Sequence, residues 1–309
     1  MSALSQHLDE YLRLRRLLGH ELAESARLLP RFVAHLEANH VDYVTIQAAL
    51  AWSLEPEAAA GSTVWGRRMM AVRGFARYLS GIDPRTEVPP PGMIRSRRRW
   101  RPPFIYSEAD IVALMNQADQ SIPQPLRAAS YQTLIGLLAA TGLRVGEALR
   151  LDSHDIDFAD GVLLVRKSKF GKSRHVPLQT STLQALQEYD GQREKLCPHP
   201  SSESFFVSLR GTRIIYECVW PTFRRLCEQA GVGADATYRP RVHDLRHSFA
   251  VRTLLGWYRE GADVQARLPW LSTYLGHREP RYTYHYLSAA PELLGHAARL
   301  LEHAQAVGS

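Results

Sequence analysis

Apolar residues recur at helical spacing through the first eighty positions. Leu4, Leu8, Tyr11, Leu12 and Leu18 line one side of a predicted helix over 4–18, opposite Arg13, Arg15 and Arg16. After a Gly-His break, residues 21–38 carry a second stripe of Leu22, Leu29, Phe32, Val33 and Leu36, which Pro30 is expected to kink or divide. Thr45 caps a third helix, 46–54. Ser62 or Thr63 starts a fourth over 64–80, with Val64, Met70, Val72, Phe75 and Leu79 for packing, and Gly81 and Asp83-Pro84 end it. This pattern predicts a small all-helical unit.

The pattern breaks at 84–103. Pro89-Pro90-Pro91 cannot continue a helix, and Arg95, Arg97, Arg98, Arg99 and Arg101 follow around Trp100. Helical periodicity resumes at Ser107, whose spacing to Asp110 is that of a capping box, with helices over 108–118 and 126–140. The second of these is apolar nearly all round and belongs in a core, and Thr141-Gly142 ends it. Three short β-branched runs follow, 156–158, 162–165 and 174–178, the last two forming a hairpin around Lys167–Ser173. Further helices are predicted at 180–189 and 216–230. A helix carrying WLSTYLGH has Pro269 at its first turn, and an amphipathic helix spans 291–305. The predicted fold is mainly α with a small antiparallel β-sheet. It comprises a helical domain over 1–88, a Pro/Arg-rich linker over 89–104, and a mixed α/β domain over 105–309.

Charge adds a partner class. The 309 residues hold 38 Lys+Arg against 31 Asp+Glu, net +7, and arginine far outnumbers lysine. Such a surface favours polyanions, and arginine favours phosphate. Arg67, Arg68, Arg73 and Arg77 on the fourth helix and Arg97, Arg98 and Arg99 in the linker are candidate DNA contacts, the alternatives being a solvated helix face and a solubilising tether. Three cysteines without a CxxC pair indicate neither a disulfide framework nor a zinc knuckle. With no signal-peptide core and no apolar run near the roughly 20 residues that span a bilayer, a soluble intracellular protein is expected.

The chemistry concentrates in 240–290. His243 and Arg246 lie three apart and share a helix face, His247 follows, and His277 precedes Tyr286 by nine residues. A histidine moves protons near neutral pH, arginine holds a planar oxyanion, and a tyrosine hydroxyl needs such help to act as a nucleophile. Together they suggest work on a phosphate ester. Each also has a plainer reading. Arg144 could bind Glu147, a hairpin lysine could be solvated, Tyr286 could be a core aromatic, and His243, His247 and His277 could hold a metal.

The series Thr141-Gly-Leu-Arg144-x-Gly-Glu147, a basic hairpin, His243-x-x-Arg246-His247, Leu275-Gly-His277 and Tyr286 resembles the tyrosine recombinases, the phage-integrase family of site-specific recombinases. The resemblance covers about 105–290, and the N-terminal part matches in kind as a helical, basic core-binding domain. It implies strand cleavage by Tyr286 through a 3′-phosphotyrosyl intermediate, without ATP, metal or other cofactor. Arg144 and Arg246 would grip the phosphate, Lys169 would act as general acid, His243 would move a proton and His277 would add a hydrogen bond. Lys169 follows from counting back from Arg174-x-Val-Pro177-Leu178, with Lys167 and Lys172 open. Tyr286 is preferred to Tyr282 and Tyr284 by its distance from His277, although PRYTYHY departs from the Ser/Thr-rich run of many members. The implied partners are a double-stranded DNA recombination site, further copies of the chain as a dimer to tetramer on DNA with the C-terminal helix docking in cis or trans, and helper recombinases. The implied setting is the cytoplasm, at the nucleoid, and the implied origin a mobile element. A type IB topoisomerase and a non-catalytic DNA-binding protein of the same fold are the alternatives.

Overall fold

The computed structural model describes residues 2–20, 22–55, 63–94, 101–166, 173–277, 279, 283, 284 and 286. The chain is mostly helical with one small antiparallel sheet, and it divides into two compact units, Met1–Trp100 and Arg101–Ser309. Among the described residues no helix is long and apolar enough to cross a membrane.

The first unit holds α1 (Ala3–Leu17), α2 (Ala23–Ala38), α3 (Ile46–Ser53) and α4 (Thr63–Leu79). Their apolar stripes meet in one core that includes Leu8, Leu12, Leu29, Phe32, Trp52, Val72 and Phe75. Thr45 caps α3 as its sequence predicts, its hydroxyl accepting the Ala48 amide at 3.0 Å, a bond worth about 1 kcal/mol. Pro30 does not divide α2: the helix runs through it, with the proline on the exposed side. Leu18 falls past the end of α1 and is exposed, as is Met70 on the outer face of α4, so neither joins the core.

The arginines of α4 part company. Arg68 is only 3% exposed; it stacks over Trp52 and donates to the Trp52 carbonyl at 3.3 Å, so it is a core cation rather than a surface contact. Arg73 turns its fork onto the segment that follows α4, donating to the carbonyls of Pro89 (2.7 Å) and Pro90 (2.8 Å). Proline lacks an amide hydrogen but keeps its acceptor, so this grip docks the start of the proline run on α4. Arg67 is exposed and paired with Glu24 at 2.8 Å, and Arg77 is exposed. Arg97, Arg98 and Arg99 lie outside the described residues.

The second unit is built on α6 (Pro125–Thr141), buried on nearly every side. Around it lie α5 (Glu108–Ser121), α7 (Val145–Leu149), α8 (Thr180–Leu196), α9 (Tyr216–Gln229), α10 (Asp244–Arg259) and α11 (Val264–Leu275). Ser107 and Asp110 form the predicted capping box on α5. Strands β1 (Ile156–Asp157), β2 (Val162–Val165) and β3 (Arg174–Pro177) form an antiparallel meander in that order. Leu163 pairs with Val176 and Val165 with Arg174, and Leu163, Val165 and Val176 face the core.

Two helices run well beyond their predicted bounds. Helix α8 continues past 189 because Leu186, Tyr189 and Arg193 are all buried on one side, and Arg193 is anchored to Ser153 Oγ (2.6 Å) and the Ser204 and Phe205 carbonyls. That anchor comes from distant residues and leaves no apolar period in the local sequence. Helix α11 begins earlier, at Val264, where the Asp263 side chain accepts the Ala266 amide at 3.0 Å. Pro269 therefore lies in its interior, not its first turn. The C-terminal stretch 291–305 lies outside the described residues.

Candidate active site

Three helix ends converge in the second unit: the end of α6 leading into α7, the start of α10, and the end of α11. Gly142 stops α6 in the left-handed region, φ +62°, and a Cβ there would sit 2.5 Å from the Phe249 ring. Only glycine combines that conformation with that approach. The closeness lets the Gly142 carbonyl accept Arg246 Nη1 at 2.7 Å.

Helix α11 ends on Gly276, also left-handed at φ +68°. Carbonyls in the last turn of a helix lack amide partners and carry partial negative charge. Here three successive ones each take an arginine. The Tyr274 carbonyl accepts Arg174 Nε (2.8 Å), that of Leu275 accepts Arg246 Nη2 (2.7 Å), and that of Gly276 accepts Arg144 Nη2 (3.3 Å). This turn gathers three guanidinium groups that repel one another. The buried Glu147 on α7 supplies the counter-charge. Its Oε1 accepts Arg144 Nη1 (2.8 Å) and Arg174 Nη1 (3.2 Å), and its Oε2 accepts Arg174 Nη2 (2.9 Å) and the Arg144 amide (3.0 Å). Three cations against one carboxylate leave a positive pocket.

Burial opposes ionisation of Glu147, but the forks of Arg174 and Arg144 prevail and hold its pKa at about 2 against 4.5. A depressed folded pKa stabilises the fold above the unfolded value and is lost as pH falls through the folded one. For a side chain this buried the contribution is on the order of 3 kcal/mol. His277 is pushed down to about 3 against 6.5, first by burial and then by Arg246, Arg144 and Arg174. It stays neutral while the unfolded chain protonates. Stability is expected to fall in two stages on acidification, from about pH 6.5 through the histidine and from about pH 4.5 through Glu147. Melting temperature against pH checks this: the lower stage should be shallower in Glu147→Gln, and parallel curves for the two proteins would contradict it.

Arg246 is 2% exposed, and burial lowers its pKa to about 10, still charged at neutral pH. Its Nη2 lies 2.9 Å from His277 Nε2, and His277 Nδ1 lies 2.9 Å from Thr283 Oγ1. Arginine can only donate, so Nε2 is the acceptor and the imidazole proton sits on Nδ1, directed at Thr283. Tyr286, 3% exposed, shares a side-chain hydrogen bond with Arg246 and packs its ring against His277 and His247, with centroids at 5.9 and 5.3 Å. Tyr284 is 53% exposed. His243 precedes α10 and keeps solvent-exposed surface at the mouth of the pocket, its ring 5.0 Å from that of His247. The protein crowded around it, and then Arg246, push its pKa below the ordinary value, which leaves it neutral at pH 7.

The structure thus brings Arg144, Arg246, His277 and Tyr286 into one cluster with His243 at its edge. Lys169, with Lys167 and Lys172, lies outside the described residues, as does Tyr282. Among the described residues the one group of three potential metal ligands within 4.8 Å of one another is Asp152, His154 and Glu203, which includes none of the three histidines weighed as ligands. Asp152 there already accepts from Arg166 and Arg213. Three residues take roles that the sequence does not show: Glu147, read there only as a partner of Arg144, is shared with Arg174; Arg174, read only as a strand marker, is that second partner; and His247, weighed as a metal ligand, packs its ring against Tyr286.

Comparison with known proteins gives a consistent picture. Residues 106–292 match the phage integrase family. A Sinorhizobium fredii protein named for an integrase/recombinase, y4rB, is 41% identical over 311 aligned residues, 98% of each chain. Tyrosine recombinase XerD of Vibrio vulnificus is 28% identical over 295 residues, 94% of this chain and 92% of its own. In fold, the Tn1549 transposon integrase, solved in complex with transposon right end DNA, superposes with a TM-score of 0.64 over 96% of this chain and 98% of that one, at 17% identity.

Proposed function

The chain belongs to the phage integrase family of tyrosine recombinases, and we propose that it cuts and rejoins double-stranded DNA at a specific site through a 3′-phosphotyrosyl bond. The observation that carries this reading is the placement of Tyr286, buried beside Arg246 in a pocket with an excess of guanidinium groups, while Tyr284 faces solvent.

A scissile phosphate entering this pocket takes its charge compensation from Arg144 and Arg246. The Gly142 and Leu275 carbonyls fix the plane of Arg246, so its remaining donors need no reorganisation as charge builds on phosphorus. Tyr286 Oη attacks phosphorus, the bond to the 5′-oxygen breaks, and the phosphate stays on the tyrosine. The ester energy is kept in that link, so rejoining needs no ATP. His243, unprotonated at pH 7, is the group that takes the phenolic proton, a role that rests on the family resemblance. The 5′-oxygen takes its proton from Lys169, a role that rests on the family resemblance. In the free protein His277 acts first as an acceptor that orients Arg246; with its proton on Nδ1 it donates to a phosphate oxygen only after Nε2 gains one.

The helical unit serves as the DNA clamp, with Arg77 and Arg67 on its surface and Arg97, Arg98 and Arg99 in the basic segment as contacts. Arg68 is excluded by its burial. The enzyme works on DNA in the cytoplasm, assembled there as a homo-oligomer.

The test is a supercoiled plasmid carrying two direct copies of the DNA that flanks the gene, incubated with the full chain in EDTA without ATP. Two smaller circles are expected. Relaxation with no exchange of partners would replace this reading with a topoisomerase.

A further inference from the structure

Arg174 has no part in the cleavage steps proposed above, yet all three nitrogens of its guanidinium are committed. It opens β3 opposite Val165, where an arginine at a strand end would ordinarily reach into water, but its side chain is 13% exposed. Its Nη1 and Nη2 span the Glu147 carboxylate at 3.2 and 2.9 Å, and Nε donates to the Tyr274 carbonyl at 2.8 Å. Gly276 packs directly on the guanidinium: a Cβ there would lie 2.9 Å from Nη1 and 3.0 Å from Cζ.

The consequence falls on Arg144. Its Nη1 shares Oε1 of Glu147 with Arg174, and its Nη2 reaches the Gly276 carbonyl. A guanidinium beside a carboxylate prefers a parallel two-bond pairing. Arg174 occupies that geometry on Glu147, so Arg144 is held to the carboxylate by one Nη. Without Arg174, Arg144 is free to close on both oxygens and turn its fork away from the phosphate. A lysine at 174 has one nitrogen and cannot hold the carboxylate pair and the Tyr274 carbonyl together.

We propose that Arg174 is a positioning residue for strand cleavage, which keeps Arg144 from collapsing onto Glu147 and so keeps its fork turned to the scissile phosphate. This rests on the phosphate-gripping role of Arg144 proposed above.

The test uses the full chain as wild type, Arg174→Lys, Arg174→Gln and Arg144→Ala, on nicked suicide duplexes from the flanking DNA. One duplex carries the natural phosphodiester and the other an uncharged methylphosphonate at the cleavage position mapped with wild type. On the phosphodiester, Arg174→Lys is expected to form the covalent adduct about 30-fold more slowly, a loss of the size that misplaced groups produce. On the methylphosphonate, which has no anionic oxygen to compensate, the deficit is expected to shrink to about threefold or less, with the same contrast in Arg144→Ala. Combining Arg144→Ala with Arg174→Lys should be no slower than Arg144→Ala alone. A misfolded variant slows both substrates alike, so Arg174→Lys and Arg174→Gln showing equal deficits on the two duplexes, or none, would overturn the inference alone. A wild type that forms no adduct on either duplex would overturn the cleavage reading and this inference with it.

Discussion

Tyr286→Phe is expected to abolish the covalent protein–DNA adduct, while Tyr284→Phe keeps it within a few-fold of wild type. The substitution removes one oxygen. The ring keeps its packing against His247 and His277, and the lost hydrogen bond to Arg246 costs about 1 kcal/mol of stability. The fold therefore survives, and melting temperatures of the two variants should lie close together. Tyr284 is half exposed and has no arginine partner among the described residues. An SDS gel of suicide-substrate reactions, read beside a melting curve, separates lost chemistry from lost fold. An adduct retained by Tyr286→Phe would move the nucleophile elsewhere.

The second large effect is expected at Arg246. Arg246→Lys keeps the charge and loses the fork, and the three groups around Nη1 and Nη2 cannot all be reached by one ammonium nitrogen. The Gly142 and Leu275 carbonyls and His277 Nε2 sit on different edges of the guanidinium plane, at 2.7, 2.7 and 2.9 Å. At 2% exposure, water cannot easily replace a lost donor, so the variant is expected to lose about 2 kcal/mol of stability. Loss of a preorganised donor to the developing phosphorane charge adds a rate deficit of about a thousandfold. Single-turnover adduct formation at a temperature where the variant is folded measures the second effect, and equilibrium denaturation the first. A variant that cleaves within tenfold of wild type would show that Arg246 is a core residue and not an oxyanion holder.

The parts of this arrangement that were legible in the sequence are those set by local periodicity or by spacing. The apolar run of α6 reads as a buried helix because nearly every position is apolar, and Gly142 reads as its stop. The β2–β3 hairpin and the capping box at Ser107 and Asp110 were likewise legible. His243 and Arg246 fall on adjoining turns because they are three apart, and the family resemblance supplied Arg144, His277 and Tyr286 by order and interval. Features that depend on distant partners were not legible. Arg68 and Arg77 sit in one basic helix and look alike in sequence, but Trp52, sixteen residues before Arg68, draws one of them inside. The continuation of α8 depends on Arg193 meeting carbonyls at Ser204 and Phe205. The end of α11 is legible as a glycine cap, but its use as a seat for Arg174, Arg246 and Arg144 requires knowing that β3, α10 and α7 arrive at the same turn. Motif order names the candidate reacting groups, and tertiary contacts decide what holds them in place.

The most direct measurement is to digest the wild-type adduct, formed in EDTA without ATP, and to locate the DNA-linked residue by mass spectrometry. A phosphodiester to Tyr286 with a free 5′-hydroxyl on the released strand is the predicted result. Linkage to Tyr284 or to any other side chain, or a released 5′-phosphate, would contradict it.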